Sequence, residues 1–271
     1  MTPFAEKLMN RWRSAGSLLC VGLDTDLERI PESMRDQKYP VFAFNQAIID
    51  ATHEQVCAYK PQIAYYAAIG AENQLEMTIQ YLRSKYPKIP CILDAKRGDI
   101  GSTAEMYARE AFDRYHADAV TANPYMGGDT LEPFLCRAER GVFVLCKTSN
   151  PGSGEIQSLE TDQGSVFTRV AHLAQNRWNL NNNIGLVVGG TYPKELQAVR
   201  RIAPDLPILV PGVGSQGASV KEIVRAGKTD DGAGLIINAS RSVIYASGGD
   251  DFAEAAGREA KRLNAEINRY R

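Results

Sequence analysis

The chain has 271 residues and a formal net charge of −1, from 31 Lys plus Arg against 32 Asp plus Glu. That balance gives no electrostatic excess for a nucleic acid or an anionic membrane and leaves only a local basic pocket open. Hydrophobic residues at 44% and charged residues at 23% are ordinary for a soluble globular protein, so disorder is not expected.

No stretch approaches the ~20 apolar residues of a membrane span. Glu6, Lys7, Arg11 and Arg13 interrupt any apolar core of a signal peptide. Cysteines stand at 20, 57, 91, 136 and 146, with no CxxC pair. Cys20, Cys57, Cys91 and Cys146 lie in or beside apolar runs, which predicts buried, reduced thiols and a cytoplasmic setting.

A short amphipathic helix is predicted over about residues 3–15. Eight apolar runs follow, at 17–24 (SLLCVGLD), 56–62 (VCAYKPQ), 90–96 (PCILDAK), 117–123 (ADAVTAN), 141–147 (GVFVLCK), 184–190 (IGLVVGG), 207–213 (PILVPGV) and 234–240 (GLIINAS). Most are apolar on both faces, as strands of a buried parallel sheet are. Helical patterns fill the intervals: VFAFNQAIIDATHE, AENQLEMTIQYLRSKY, STAEMYAREAFDRYH, TLEPFLCRAER, SVFTRVAHLAQNRW, PKELQAVRRIA, SQGASVKEIVRAG and DDFAEAAGREAKRLNAEINRY. Ser102 is the expected N-cap of the third, with Glu105 three residues on, and Gly227 the expected C-cap of the seventh.

Strict βα alternation predicts a single-domain (β/α)8 barrel over 1–271, a TIM barrel, with an open doubly wound sheet as the alternative. No GxGxxG follows the first run, so the phosphate fingerprint of a dinucleotide fold is missing there. The stretch TSNPGSGEIQSLETDQG (148–164) is expected to be irregular and to act as a lid, or else to be a plain exposed insertion.

In a barrel, chemistry belongs at the C-terminal ends of the strands. Those ends carry Asp24, Lys60, Asp94 with Lys96, Asn123, Lys147, Gly189–Gly190, Pro211–Gly214 and Asn238–Arg241. Unpaired buried charges are expensive, so this concentration predicts a mutually paired set. The octet LDAKRGDI (93–100) is the sharpest feature. On a regular strand Asp94 and Lys96 would share a face, about 6–7 Å apart. Asp99 follows beyond the strand end, so a lysine flanked by two carboxylates could donate a proton to a carbanion. The plainer alternative is a salt bridge with a loop cap. Asp24 and Lys60, on the neighbouring strands, extend the set to an alternating Asp24–Lys60–Asp94–Lys96–Asp99 array. PGVGSQGAS (211–219) offers free amides at a helix start, and Arg241 in NASRS offers a guanidinium, a combination that fits phosphate. His53, His116 and His172 are expected on helix surfaces, and no spacing suggests a metal site or a nucleophilic triad.

Taken together, FAEKLMNRW, CVGLDTD, YKPQIAYYAAIG, LDAKRGDIGSTAEMYA, TANPYMGGD, KTSNPG, LVPGVGSQG and NASRSVIYA run essentially end to end and resemble the orotidine 5′-phosphate decarboxylase family, in its longer bacterial subgroup. The resemblance implies conversion of orotidine 5′-monophosphate (OMP) to uridine 5′-monophosphate (UMP) and carbon dioxide, the last step of de novo UMP synthesis. It implies a homodimer with shared sites and no metal or organic cofactor. By the same resemblance Asp24 and Lys60 would hold the ribose hydroxyls, Asp94 would face the substrate carboxylate, and Lys96 would protonate C6. Asp99 and Thr103 would enter the partner's site. Ser149 would contact the pyrimidine, and Gly214, Gln216, Ser240 and Arg241 would grip the phosphate. Two rivals remain. One is a magnesium-dependent keto-sugar phosphate decarboxylase of the same superfamily, which shares D-x-K-x-x-D but not the TSNPG and NASRS segments. The other is a non-catalytic barrel that binds a phosphate ligand.

Overall fold

A computed structural model describes residues 2–212 and 219–271. Its main sheet has eight parallel strands: β1 Leu19–Leu23, β2 Ala58–Pro61, β3 Ile92–Arg97, β4 Ala119–Ala122, β5 Gly141–Lys147, β6 Ile184–Val188, β7 Ile208–Pro211 and β8 Leu235–Ala239. The hydrogen-bonded order is β2-β1-β8-β7-β6-β5-β4-β3. Parallel bridges Tyr59–Cys91 and Gln62–Asp94 then join β2 to β3. The sheet therefore closes on itself, and the open doubly wound alternative fails on that closure. The result is a (β/α)8 TIM barrel.

The double-sided apolar runs have the predicted cause. Every residue of β1, β2, β4, β6 and β8 is buried, between the barrel interior and the surrounding helices. Helices Pro40–Thr52, Glu72–Lys85, Gly101–Arg109, Val166–Leu173, Pro193–Ile202, Val220–Gly227 and Phe252–Asn268 form that outer layer. Helix Pro3–Ser14 starts at Thr2, whose hydroxyl accepts the Ala5 amide at 3.3 Å, with Pro3 at the first helical position. It plugs the N-terminal end of the barrel. The Phe4 ring meets Phe143 edge-on at 5.9 Å, and Lys7 pairs with Asp118 at 2.8 Å. Gly141 leaves the space Phe4 needs, since a Cβ there would lie 2.4 Å from the ring.

Several local expectations change. Ser102 is not an N-cap: the helix begins at Gly101 with Ile100 as cap and no side-chain cap bond, so Ser102 and Glu105 lie inside it. Gly227 is the last helical residue and Lys228 the cap. The pattern TLEPFLCRAER gives only the turn Gly128–Thr130 and the short helix Glu132–Leu135. The helices after β3 and β5 end in π-turns, Glu110–Arg114 and Ala174–Trp178. The 148–164 stretch is not irregular. It holds the turn Pro151–Ser153, the helical turn Gly154–Gln157 and a small antiparallel pair, Glu160–Thr161 with Gly164–Ser165.

The thiols follow expectation. Cys20, Cys57, Cys91 and Cys146 are buried and free, and only Cys136 is exposed. Burial pushes the Cys57 and Cys146 thiols up to about 12. His116 and His172 are exposed, as expected. His53 is half-buried and stacks on Tyr86 with ring centres 4.5 Å apart. Among the described residues no helix is long and apolar enough to cross a membrane.

Candidate active site

Parallel closure brings all eight strand ends to one mouth, and the charged array assembles where β1, β2 and β3 reach it. In the register of β1 and β2, Gly22 lies opposite Lys60. Lys60 is 3% exposed, and its Nζ lies 2.9 Å from Asp94 Oδ2 and 3.6 Å from Asp24 Oδ1. Burial opposes the Lys60 charge, but the Asp94 and Asp24 carboxylates overcome it and hold its pKa above the usual lysine range. Burial also opposes the Asp94 anion, but Lys60 and Lys96 outweigh it and hold that carboxyl well below the usual carboxylate range.

Lys96 does not sit on a regular strand. Its φ is +48°, and the register between β3 and β4 shifts between Leu93 and Arg97. The left-handed residue is uncommon for a side chain other than glycine and marks a strained position. It ends the strand geometry that would have spaced Asp94 and Lys96 along one face. Instead Lys96 Nζ folds back to 2.7 Å from Asp94 Oδ1, while its side chain stays 45% exposed toward the mouth. Lys60 is thus the sequestered cation and Lys96 the accessible one.

Sequence reasoning missed Thr121, on β4. Its hydroxyl donates to Asp94 Oδ1 at 2.8 Å and accepts the Ala95 and Lys96 amides at 3.0 and 2.9 Å. One side chain therefore orients the carboxylate and satisfies the backbone of the irregular segment. The available signal was a hydroxyl within the otherwise apolar AVTA strand beside the octet. With Lys60 on Oδ2, and Lys96 and Thr121 on Oδ1, both Asp94 oxygens are occupied by donors.

The expected five-charge array is four charges within this chain. Among the described residues Asp99 enters no salt bridge, and its Oδ1 accepts the Ile100 amide at 2.8 Å. It lies past the end of β3, and Thr103 is exposed on the first turn of the following helix. Asp24 Oδ1 is buried without a hydrogen-bond partner among the described residues, because the Lys60 distance is too long for one. An acceptor left open in this way can take a hydrogen bond from a water or a ligand.

On the other side of β1, the adjacent strand β8 brings Asn238 and Ser240 against Gly22. Asn238 Nδ2 donates to Ser240 Oγ at 3.1 Å, and its Oδ1 is buried without a partner among the described residues. A Cβ on Gly22 would stand 1.9 Å from Ser240 Oγ. Arg241 begins the helical turn Arg241–Ile244 and is exposed. Ser149 lies beyond β5, where the glycine at 189 lets its backbone cross: a Cβ there would be 2.8 Å from Ser149. Gly214 and Gln216 lie outside the described residues. A chain of alternating charge beside a hydroxyl-lined, cation-flanked wall can hold a polar anionic ligand and deliver a proton to a carbon that gains an electron pair.

Comparison with known proteins agrees with this chemistry. The model of the orotidine 5′-phosphate decarboxylase / HUMPS family matches residues 17–256. An orotidine 5′-phosphate decarboxylase of Cellvibrio japonicus is 56% identical over 267 residues, covering 98% of each chain. One of Ralstonia pickettii is 53% identical over 268 residues, covering 99% of each. The solved structure of Leishmania donovani OMP decarboxylase superposes with a TM-score of 0.84 at 40% identity, covering 100% of this chain and 98% of that one. By site, fold and sequence, the chain belongs to the orotidine 5′-phosphate decarboxylase / HUMPS family.

Proposed function

We propose that this chain, acting as a single barrel domain, converts OMP to UMP and carbon dioxide without a metal or organic cofactor. The observation that carries the reading is the Lys60–Asp94–Lys96 chain, with an accessible lysine 2.7 Å from a carboxylate held by two other donors. In the reaction the bond from C6 to the carboxylate breaks and its electron pair stays on C6. Lys96 supplies the proton that fills that valence and later regains one from water. A preorganised ammonium stabilises the charge as it develops. Asp94 beside the substrate carboxylate adds like-charge stress, about 4 kcal/mol at 4 Å and an effective dielectric of 20. Ammonium stabilisation ranks first, because it acts on charge that grows toward the transition state, whereas stress acts only if the bound substrate retains it.

Asp24 and Lys60 take the ribose hydroxyls, and the unpartnered Asp24 Oδ1 supports that role. Ser149 meets the pyrimidine. Gly214, Gln216, Ser240 and Arg241 grip the phosphate, whose remote binding energy drives closure over the reacting carbon. The two ammonium groups on Asp94 favour this reading over a magnesium-dependent sugar-phosphate decarboxylase, since Lys60 and Lys96 already neutralise the carboxylate and would repel a divalent cation beside it.

The working unit is a homodimer in which Asp99 and Thr103 enter the partner's site. Ile100, Met106, Tyr125 and Met126 are large apolar residues exposed beside them, and Met126 approaches Gly98. Exposed apolar side chains of this size beside Asp99 and Thr103 support an interface there. The four buried free thiols suit a reducing compartment, the cytoplasm.

The test is to treat the purified protein with EDTA, add OMP and follow the ultraviolet change to UMP, with Lys96→Ala as control. Metal-independent turnover that collapses in the variant supports the reaction and the proton donor. Absence of wild-type turnover with UMP binding retained overturns it in favour of a binding barrel. Activity lost to EDTA and restored by magnesium overturns it in favour of the sugar-phosphate enzyme.

A further inference from the structure

A third lysine ends a strand at the mouth, and neither the charged array nor the phosphate wall uses it. Lys147 closes β5 and is 2% exposed. Among the described residues it forms no ion pair with a carboxylate, and residues 213–218 (VGSQGA) contain no acid. Burying an ammonium without a counterion is costly, so such a group persists where its contacts do a specific job. Here there are two contacts. Nζ donates to Ser153 Oγ at 2.7 Å and stands 4.7 Å from the centre of the Tyr192 ring, a cation–π distance.

These partners come from different segments. Ser153 belongs to the turn Pro151–Ser153 after β5, whereas Tyr192 follows β6. The other polar links between the two segments are weak: Thr191 Oγ1 to Ser149 O and Tyr192 Oη to Asn150 O, both at 3.5 Å. The 148–157 stretch otherwise closes on itself, with the Thr148 amide donating to Gln157 Oε1 at 2.8 Å. Among the described residues the Lys147 ammonium is therefore the shortest polar tie that fastens this segment to the barrel.

We propose that Lys147 is a positioning residue. It clamps the 148–157 segment between Ser153 and Tyr192, and so sets Ser149 over the pyrimidine. The proposal rests on the OMP reading above for the role of Ser149, but the clamp itself can be read without turnover.

The experiment compares wild type with Lys147→Met, Lys147→Arg and Ser153→Ala. It measures kcat and KM for OMP, the melting temperature, and hydrogen exchange across 148–157 with and without UMP. Lys147→Met is expected to raise KM at least tenfold and speed exchange in 148–157. Its melting temperature is expected not to fall, because a buried charge has been removed. Ser153→Ala should give part of the same KM rise, and the Lys147→Met/Ser153→Ala double variant should be no worse than Lys147→Met alone. Lys147→Arg should recover part of the loss. An active Lys147→Met with unchanged KM and unchanged local exchange overturns the clamp. So does a variant whose exchange rises evenly over the barrel as its melting temperature drops. If Lys147→Met fails to fold, Ser153→Ala decides by the same readouts. Wild type that does not turn over OMP would overturn the functional reading instead, and exchange at 148–157 would still decide the clamp.

Discussion

Thr121 Oγ1 stands 2.8 Å from Asp94 Oδ1 and is the only neutral side chain that hydrogen-bonds that carboxylate among the described residues. Its hydroxyl also takes the two amides of the irregular segment that carries Lys96. Thr121→Val keeps the shape but strands those amides and frees the carboxylate to rotate. An unsatisfied buried donor costs about 1–3 kcal/mol, and these amides are only partly buried, so a stability loss at the lower end, about 1 kcal/mol, is expected from denaturant unfolding. If the same interaction also positions the transition state, kcat/KM falls by roughly ten- to a hundredfold. Thr121→Ser should restore most of both. A Val variant with wild-type kcat/KM would show that Asp94 is held by its lysines alone.

The opposed pKa shifts of Asp94 and Lys60 define a pH window for stability. The Asp94 carboxyl is held below its unfolded value, so its contribution is complete above about 4 and is lost as pH falls toward the folded pKa. The Lys60 pKa is held above its unfolded value, so its contribution is complete below about 10.4 and is lost as pH rises toward the folded pKa. Unfolding free energies of wild type and Asp94→Asn should therefore differ by a constant amount from about pH 5 to 9 and converge below about pH 4. A difference that stays constant down to pH 2 would mean that Asp94 is not specially stabilised as an anion in the folded state.

The barrel was legible because its strands are buried on both faces and its helices on one, so period and length separated them. The array was legible for a different reason: Asp24, Lys60 and Asp94 are charges at the ends of apolar runs, where only pairing makes them tolerable. Lys96 was placed correctly but with the wrong backbone, since nothing in AKRG announces a left-handed lysine; the irregularity is supported from β4 by Thr121, across the sheet. Ser102 looked like a cap because local propensity cannot see that Gly101, at φ +50°, already starts the helix. The order in 148–164 was hidden because its Gly- and Ser-rich sequence carries no clear period, whereas the bonds that order it, such as the Thr148 amide to Gln157 Oε1 and the Glu160–Ser165 pairing, join residues several positions apart. Lys147 itself was visible as a strand-end charge, but its partners were not.

The two ends of the barrel should separate stability from activity. Phe4 packs at the end away from the mouth, against Phe143 and over Gly141. Phe4→Ala should cost about 3–5 kcal/mol, as truncation of a buried aromatic does, with kcat and KM for OMP unchanged in the folded fraction. Gly141→Ala should cost about 1–3 kcal/mol through overpacking. Paired unfolding curves and steady-state kinetics check this, and a change in kcat for either variant would mean that the plug is coupled to the mouth.

Asp99 tests whether the catalyst is one chain or two. Within the chain its carboxylate reaches the Ile100 amide and no member of the charged array among the described residues. If it completes the partner's site, Asp99→Ala and Lys96→Ala homodimers should each be nearly inactive, by different lesions. In a hybrid of the two, one site combines Lys96 from the first chain with Asp99 from the second and is intact, and the other carries both lesions. Random reassortment makes half of the dimers hybrids with one good site of two, so mixing should restore about one quarter of wild-type activity. The mixture is dissociated at low concentration or in mild denaturant, reassociated, and assayed with OMP against each variant treated alone. No recovery, in a preparation where mass spectrometry shows that hybrids formed, would place Asp99 outside the partner's site. Its loss in the homodimer would then be a local effect on the end of β3.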